Sequence, residues 1–306
     1  MMILTSIALT GAGLLALIGG GHLLVSGAIG LSARFGLPSA VVGAVVLGFG
    51  TSAPELATSL QAALAGAPEI ALGNVIGSNI ANILLILGLA ALIAPLATQP
   101  HQGRDLAWVI GATLALVALL VAGQLTRGAG VVLVLALALY LRPAFRRSAA
   151  AGTGDAAAQE APSSLRALWI TLAGLALTLA GARALVTGAV DLARVAGLSE
   201  AVIGLTLVAV GTSLPELATS VTAALRGRAE LAIANVLGSN VFNILGILGI
   251  TLIVRPLGAV PGFGPLDIGV LLASGLALAA MIRFGLGRTG AGLCLSGYAL
   301  YLWALV

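Results

Sequence analysis

The chain has 306 residues, of which 60% are hydrophobic and only 8% carry charge. Soluble domains carry about a quarter charged residues, so a soluble globular domain is excluded and a polytopic membrane protein is the class that remains. The formal net charge of +4 is set by fourteen basic residues, all arginine, and such loop arginines are no nucleic-acid footprint. The lone Cys294 rules out an intrachain disulfide.

Taken in order, the apolar runs predict ten membrane-spanning helices in an all-α chain. They fall near 3–31, 39–64, 69–93, 105–124 and 128–145, then 166–193, 200–225, 230–254, 266–283 and 289–306. The N-terminal "MMILTSIALTGAGLLALIGG" has no basic leader and outruns a signal peptide, so it reads as the first span. Between the fifth and sixth spans lies "RRSAAAGTGDAAAQEAPSS", small, polar and interrupted by Gly and Pro, which reads as a flexible linker. The expected organisation is a first half over 1–147, a linker over 148–164 and a second half over 165–306. The linker is far too short to be a domain.

The halves repeat. At an offset of 161 residues, positions 50–88 match 211–249 without a gap, 26 of 39 being identical. Five spans per half is an odd number, so the second half must enter the bilayer from the opposite side, the inverted repeat typical of secondary transporters. With the linker placed in the cytoplasm, ten arginines fall inside: Arg34, Arg104, Arg142, Arg146, Arg147, Arg166, Arg226, Arg228, Arg283 and Arg288. Only Arg127, Arg194 and Arg255 fall outside, and Arg183 lies within a span. This satisfies the positive-inside rule and puts both termini outside.

Of ten acidic residues, only Glu55 and Glu216 fall deep inside apolar spans, at repeat-equivalent positions in "GTSAPELATS" and "GTSLPELATS". An ionisable group at membrane depth marks a pathway or a binding site. Thr51 and Ser52 precede Glu55 on the same stretch, as Thr212 and Ser213 precede Glu216. Pro54 and Pro215 cannot donate to the preceding turn, which predicts a kinked or broken helix with carbonyl oxygens freed. Broken backbone at this depth is viable where it lines a cavity or is buried in protein. Carboxylate, hydroxyl, amide and backbone oxygens form a ligand set suited to a hard cation such as Ca2+, and no Cys/His cluster exists to suit zinc or copper. The next span of each half adds a polar stripe at successive fourth positions, Asn74, Ser78 and Asn82, repeated as Asn235, Ser239 and Asn243. Such a stripe either lines the site or joins helices by hydrogen bonds. Asn79 and Asn240 point elsewhere on their helices, and both roles stay open for them.

The pairs "GTSxPELATS" with "GNVxGSNxxN" and "GTSxPELATS" with "ANVxGSNxxN" resemble the alpha repeats of the cation/Ca2+ antiporter superfamily, in particular sodium/calcium exchangers of the compact prokaryotic type. The resemblance covers the whole ten-helix layout. It implies mid-membrane cation sites built by the second, third, seventh and eighth helices. Glu55 and Glu216 would be shared by Ca2+ and Na+, with hydroxyls from Thr51, Ser52, Ser78, Thr212, Ser213 and Ser239. Carbonyls around Gly48 and Ala209 would complete outer sodium sites, and Asn82 and Asn243 would take the remaining lateral positions. Several relatives carry aspartate where this chain has Asn243, which leaves the site a formal charge of −2 when both glutamates are ionised. The expected activity is Na+/Ca2+ antiport by alternating access in a prokaryotic plasma membrane, electrogenic if more than two Na+ exchange for one Ca2+. In that mechanism the glycine-rich first and sixth spans slide across the core, although close packing alone would also explain their glycines.

A Ca2+/H+ antiporter could use the same two glutamates, but the resemblance implies sodium, since H+-coupled members of the superfamily usually carry a different motif around the glutamate than Gly-Thr-Ser. An open channel fits poorly with carboxylates enclosed at the midplane. An intramembrane enzyme would need acid/base or metal-ligand partners that the chain lacks, so no enzyme activity, no cofactor and no nucleic-acid or obligate protein partner is expected. The transported ions and the bilayer are the expected partners. His22 reads as structural more readily than as a proton relay, and His101 as a cytoplasmic loop residue. Arg183 could snorkel or pair with Asp191. Trp108, Trp169, Trp303, Tyr298 and Tyr301 suit interfacial anchoring.

Overall fold

A computed structural model describes residues 2–35, 39–97, 102–150, 164–197, 209–260 and 262–305. Ten helical segments follow one another: α1 (Met2–Phe35), α2 (39–64), α3 (Pro68–Ile93), α4 (Gln102–Val121) and α5 (Arg127–Ala150), then α6 (Ser164–Val195), α7 (209–225), α8 (Ala229–Val254), α9 (Pro265–Phe284) and α10 (Arg288–Leu305). Among the described residues there are helices and two isolated backbone bridges but no strand. Six of the helices are individually long and apolar enough to cross a membrane. Where they are described, the expected boundaries hold to a few residues, with one extension; the start of the seventh span, 200–208, lies outside the described residues. Helix α5 runs on to Ala150, into the segment expected as linker, because the alanines and arginines beyond Tyr140 are good helix formers. The remaining linker residues, 151–163, and His101 lie outside the described residues.

The two halves are related by a two-fold operation, visible in reciprocal contacts. In a two-fold interface, if one residue meets a second, their counterparts meet in exchanged roles. Leu96 bridges to Leu286, while Leu125, the counterpart of Leu286, accepts from Leu257, the counterpart of Leu96, at 3.0 Å. An odd number of spans per half puts this axis in the membrane plane, as inverted repeats require.

Helices α1 and α6 are the most extensively packed pair, and glycine explains why they can be. Gly13, Gly20 and Gly27 recur every seven residues on α1, and their counterparts Gly174, Gly181 and Gly188 do the same on α6. A Cβ placed on Gly181 would stand 2.8 Å from the backbone nitrogen of Leu17 and 2.9 Å from the carbonyl oxygen of Gly13. The backbones therefore touch, the small-residue packing that holds membrane helices together. A helix of 34 residues is about 50 Å long, so α1 must tilt to fit a bilayer.

The pair α1/α6 lies beside a core built on α8, which is buried from Leu231 through Gly249. A helix buried on all sides is enclosed by other helices, here α2, α3, α4, α5 and α7. A polar tie joins α1 to the core: Arg226, just past α7, donates to Ser26 Oγ at 2.8 Å and contacts His22 Nδ1. His22 is thus engaged by an arginine, a structural role.

Of the two roles left open for Arg183, pairing with Asp191 is not seen: Asp191 meets Arg194 at 3.7 Å, three residues along on the same helix face. Arg183 itself is exposed. Tyr298 and Tyr301 are buried, and Tyr301 donates to Asp267 Oδ1 at 3.0 Å, so both are packed inside the protein and the Tyr301 phenol ties α10 to α9. Trp108 packs edge-on against Tyr140, whereas Trp169 and Trp303 are exposed as anchors would be.

Candidate cation site

Helix α2 is interrupted where the proline predicts it. The helix ends at Thr51, Ser52 takes φ −81° and ψ 8°, and a new helix starts at Ala53 with Pro54 in its first turn. Proline is favoured there because its missing N–H would have had no partner anyway. In α7 the same break falls at Ser213, with φ −88° and ψ 7°, before the helix Leu214–Leu225. Glu55 and Glu216 therefore sit in the first turns of fresh helices, where unpaired backbone N–H groups favour negative charge. Each of these helices stops two residues before a glycine in the left-handed region, Leu64 before Gly66 at φ +78° and Leu225 before Gly227 at φ +67°.

The two breaks face each other. Ser52 Oγ donates to Glu216 Oε1 at 2.9 Å, and Ser213 Oγ donates to Glu55 Oε1 at 3.3 Å. Each carboxylate is thus held by a hydroxyl from the opposite half. Both glutamates are 1% exposed. No ion pair reaches either among the described residues, and Oε2 of each has no hydrogen-bond partner there. The Thr51 hydroxyl is turned to the Leu47 carbonyl at 2.9 Å, and Thr212 is the last helical residue before its own break.

The helices that follow support this pair. Asn74 donates to the Glu55 carbonyl at 3.0 Å and to Ser59 Oγ at 2.9 Å; Asn235 does the same to the Glu216 carbonyl and Ser220 Oγ. These two asparagines therefore join helices. Ser239 donates to the Gly48 carbonyl at 3.2 Å, stitching α8 to the segment before the first break. Ser78 is buried beside them, and Ala209 opens the described part of α7. Asn82 and Asn243 are 1% exposed, and the Oδ1 of each lacks a partner among the described residues. Both stand at the start of a widened, π-helical stretch, 82–86 in α3 and 242–248 in α8. No sequence signal pointed to these stretches, which occur mostly at functional sites. They rotate the residues that follow relative to those before, and here they fall at repeat-equivalent asparagines.

The site is thus an enclosed set of oxygens, four of which, at two carboxylates and two amides, have no hydrogen-bond partner among the described residues. A buried polar atom without a partner is costly, and a bound cation would satisfy these oxygens.

The sodium/calcium exchanger protein family matches residues 5–145 and 166–306, both halves. Inner membrane protein YrbG of Escherichia coli is 33% identical over 83% of this chain and 81% of its own length. Putative antiporter CaxA of Alkalimonas amylolytica is 36% identical over 89% and 88%, and sodium/calcium exchanger MaX1 of Methanosarcina acetivorans is 42% identical over 28% and 25%. Among solved structures, the sodium-calcium exchanger NCX_Mj soaked with Na+ and Sr2+ superposes with a TM-score of 0.88 at 33% identity, covering 100% of both chains. A crystal of it soaked with 10 mM Na+ and no Ca2+ gives 0.87 at 32% identity over 99% of this chain. Matched over both inverted halves by the family model and along nearly its whole length by these relatives, this chain belongs to the sodium/calcium exchanger family and is a cation/Ca2+ antiporter of the prokaryotic type.

Proposed function

We propose that the chain exchanges Na+ for Ca2+ by alternating access, with both ions competing for Glu55 and Glu216. The observation that carries this reading is the pair of buried glutamates, each bound by a serine of the opposite half and each with its second oxygen unpartnered. Two carboxylates supply −2 when ionised, which one Ca2+ balances. Hard oxygen ligands at this count suit Ca2+, and the same oxygens serve Na+ at lower charge density. The hydroxyls of Thr51, Ser52, Ser78, Thr212, Ser213 and Ser239, the Asn82 and Asn243 amides, and the carbonyls of Gly48 and Ala209 complete the ligand set. With asparagine at both lateral positions, a third Na+ adds a charge that Ca2+ does not carry, and the exchange is electrogenic.

A difference between the halves supports alternating access. Gly73, Asn74 and Gly77 are half-buried, whereas their counterparts Ala234, Asn235 and Gly238 are fully buried. Among the described residues, one face beside the glutamates is thus less tightly packed than its two-fold mate. The α1/α6 pair is the element that moves, sliding over the core to exchange the two. The linker is cytoplasmic and both termini are outside.

The test is Ca2+ uptake into Na+-loaded proteoliposomes with a proton ionophore present. Uptake that requires the outward Na+ gradient supports the reading. Uptake indifferent to Na+ and driven by a pH gradient once the ionophore is omitted overturns it in favour of Ca2+/H+ antiport on the same glutamates.

A further inference from the structure

Asn79 and Asn240 are buried at 1% and 0% exposure, and neither touches a glutamate in the hydrogen-bond network. Their bonds nonetheless have a direction. Asn240 Nδ2 donates to the main-chain carbonyl of Asn79 at 3.5 Å, and Asn240 Oδ1 accepts from Asn82 Nδ2 at 2.9 Å. A main-chain carbonyl can only accept, so it draws the NH2 end of Asn240 and leaves the oxygen end for Asn82. Asn82 must then offer its own NH2, which turns its Oδ1 away from Asn240. That oxygen is buried without a partner among the described residues. Reversing both amides would set the Asn240 oxygen against the Asn79 carbonyl oxygen, two acceptors facing each other, and would aim the Asn82 NH2 where its oxygen now lies.

The amide has two ends of opposite polarity, and only one can ligate a cation. We propose that Asn240 is a positioning residue, fixing the polarity of the Asn82 amide so that its carbonyl oxygen faces the ion. The proposal rests on the reading of the site given above. Outer partners that orient a metal ligand act in the same way on other sites. The two-fold mate of this arm is not set: Asn79 Nδ2 donates within its own helix to Val75 at 2.7 Å, and both ends of Asn243 lack partners among the described residues. The locked lateral ligand is therefore Asn82 alone.

The experiment is a double-mutant cycle on the purified full chain, reading Ca2+ concentration dependence of uptake into Na+-loaded proteoliposomes. Asn240→Ala removes the acceptor and is expected to raise the KM for Ca2+ about tenfold, with the maximal rate held within about twofold. Asn82→Asp presents oxygen whichever way it turns, so it needs no orientation. In that background Asn240→Ala is expected to shift KM by less than about twofold, or to tighten it, a coupling that independent sites would lack. Asn240→Leu refills the volume and carries the same expectation should the alanine cavity prevent insertion. An equal KM shift in both backgrounds means that Asn240 only packs, and overturns the proposal. Glu55→Gln, measured alongside, separates the two failures: uptake surviving in that variant sinks the site itself, whereas its loss with an additive Asn240 effect sinks the orientation alone.

Discussion

The two motif-bearing regions, α2–α3 and α7–α8, share most of their residues yet hold them differently. Pro215 and the run Ala234–Gly238 are buried, while Pro54, Gly73, Asn74 and Gly77 keep partial exposure. The Asn82 amide is tied to Asn240, while Asn243 has both ends unpartnered among the described residues. Near-identical sequence thus yields a centre in which each glutamate depends on the other half, flanked by unequal burial and unequal asparagine bonding. Unequal flanks are what the alternating access proposed above calls for. The comparison can be broken or sharpened at four levels.

The largest effect is expected at the centre. Glu55→Gln and Glu216→Gln each remove one of two charges and should cut Na+-driven Ca2+ uptake at least about a hundredfold, since ligand charge count tunes Ca2+ affinity over decades. Similar loss in both variants upholds the mutual dependence at the centre; uptake preserved in either one breaks it. Next are the serines that cross the two-fold. Hydrogen bonds to charged groups contribute about 1.5–3 kcal/mol, so Ser52→Ala and Ser213→Ala should each weaken Ca2+ affinity about tenfold. Ser52→Ala is expected to cost more, its bond being 2.9 Å against 3.3 Å. Calcium titrations of the two purified variants decide it.

The unequal burial of the flanks is tested by labelling. With the buried Cys294 replaced by alanine, Gly73→Cys should react with a soluble thiol reagent at least about tenfold faster than Ala234→Cys, because thiol reactivity follows access. A Cβ at Gly73 meets only the Phe263 ring, at 3.6 Å, so the substitution fits. Equal rates would mean that burial in the two halves does not differ in the membrane. The smallest effect is expected at Arg226, whose contacts to Ser26 and His22 tie α1 to α7 on one face only, its counterpart being Ala65. Arg226→Ala should lower stability by about 1 kcal/mol, read as a drop of a few degrees in the thermal midpoint in detergent, with Ca2+ affinity unchanged.

Much of this was legible without coordinates. A charge deep in an apolar run is conspicuous, and an offset of 161 residues that preserves "GTS", "PELATS" and "GSN" exposes the halves. An odd span count forces the inversion. Proline at positions 54 and 215 announces the breaks, since its missing N–H cannot serve a helix interior. The serines were readable as candidate ligands, but not that each would hold the glutamate of the opposite half. The polar stripe was readable only as a choice, and the structure divided it: Asn74 and Asn235 donate to the glutamate helices, while Asn82 and Asn243 make no bond to them. Tyr298 and Tyr301 were misread because an aromatic near a helix end anchors or packs according to which neighbour it meets, here Asp267 on α9.

The sequence by itself determined what is local or periodic: spans from apolar length, halves from repetition, breaks from proline, and the glutamates as the charged centre. Only the tertiary structure decided which partner each polar group takes, because Ser52 and Glu216 lie 164 residues apart and Asn82 and Asn240 lie 158 apart. No window of sequence contains both ends of such a bond. The widened turns at Asn82 and Asn243, the polarity of the Asn82 amide and the unequal burial of the two flanks arise from how the halves press together, a property of the pair and of neither half alone.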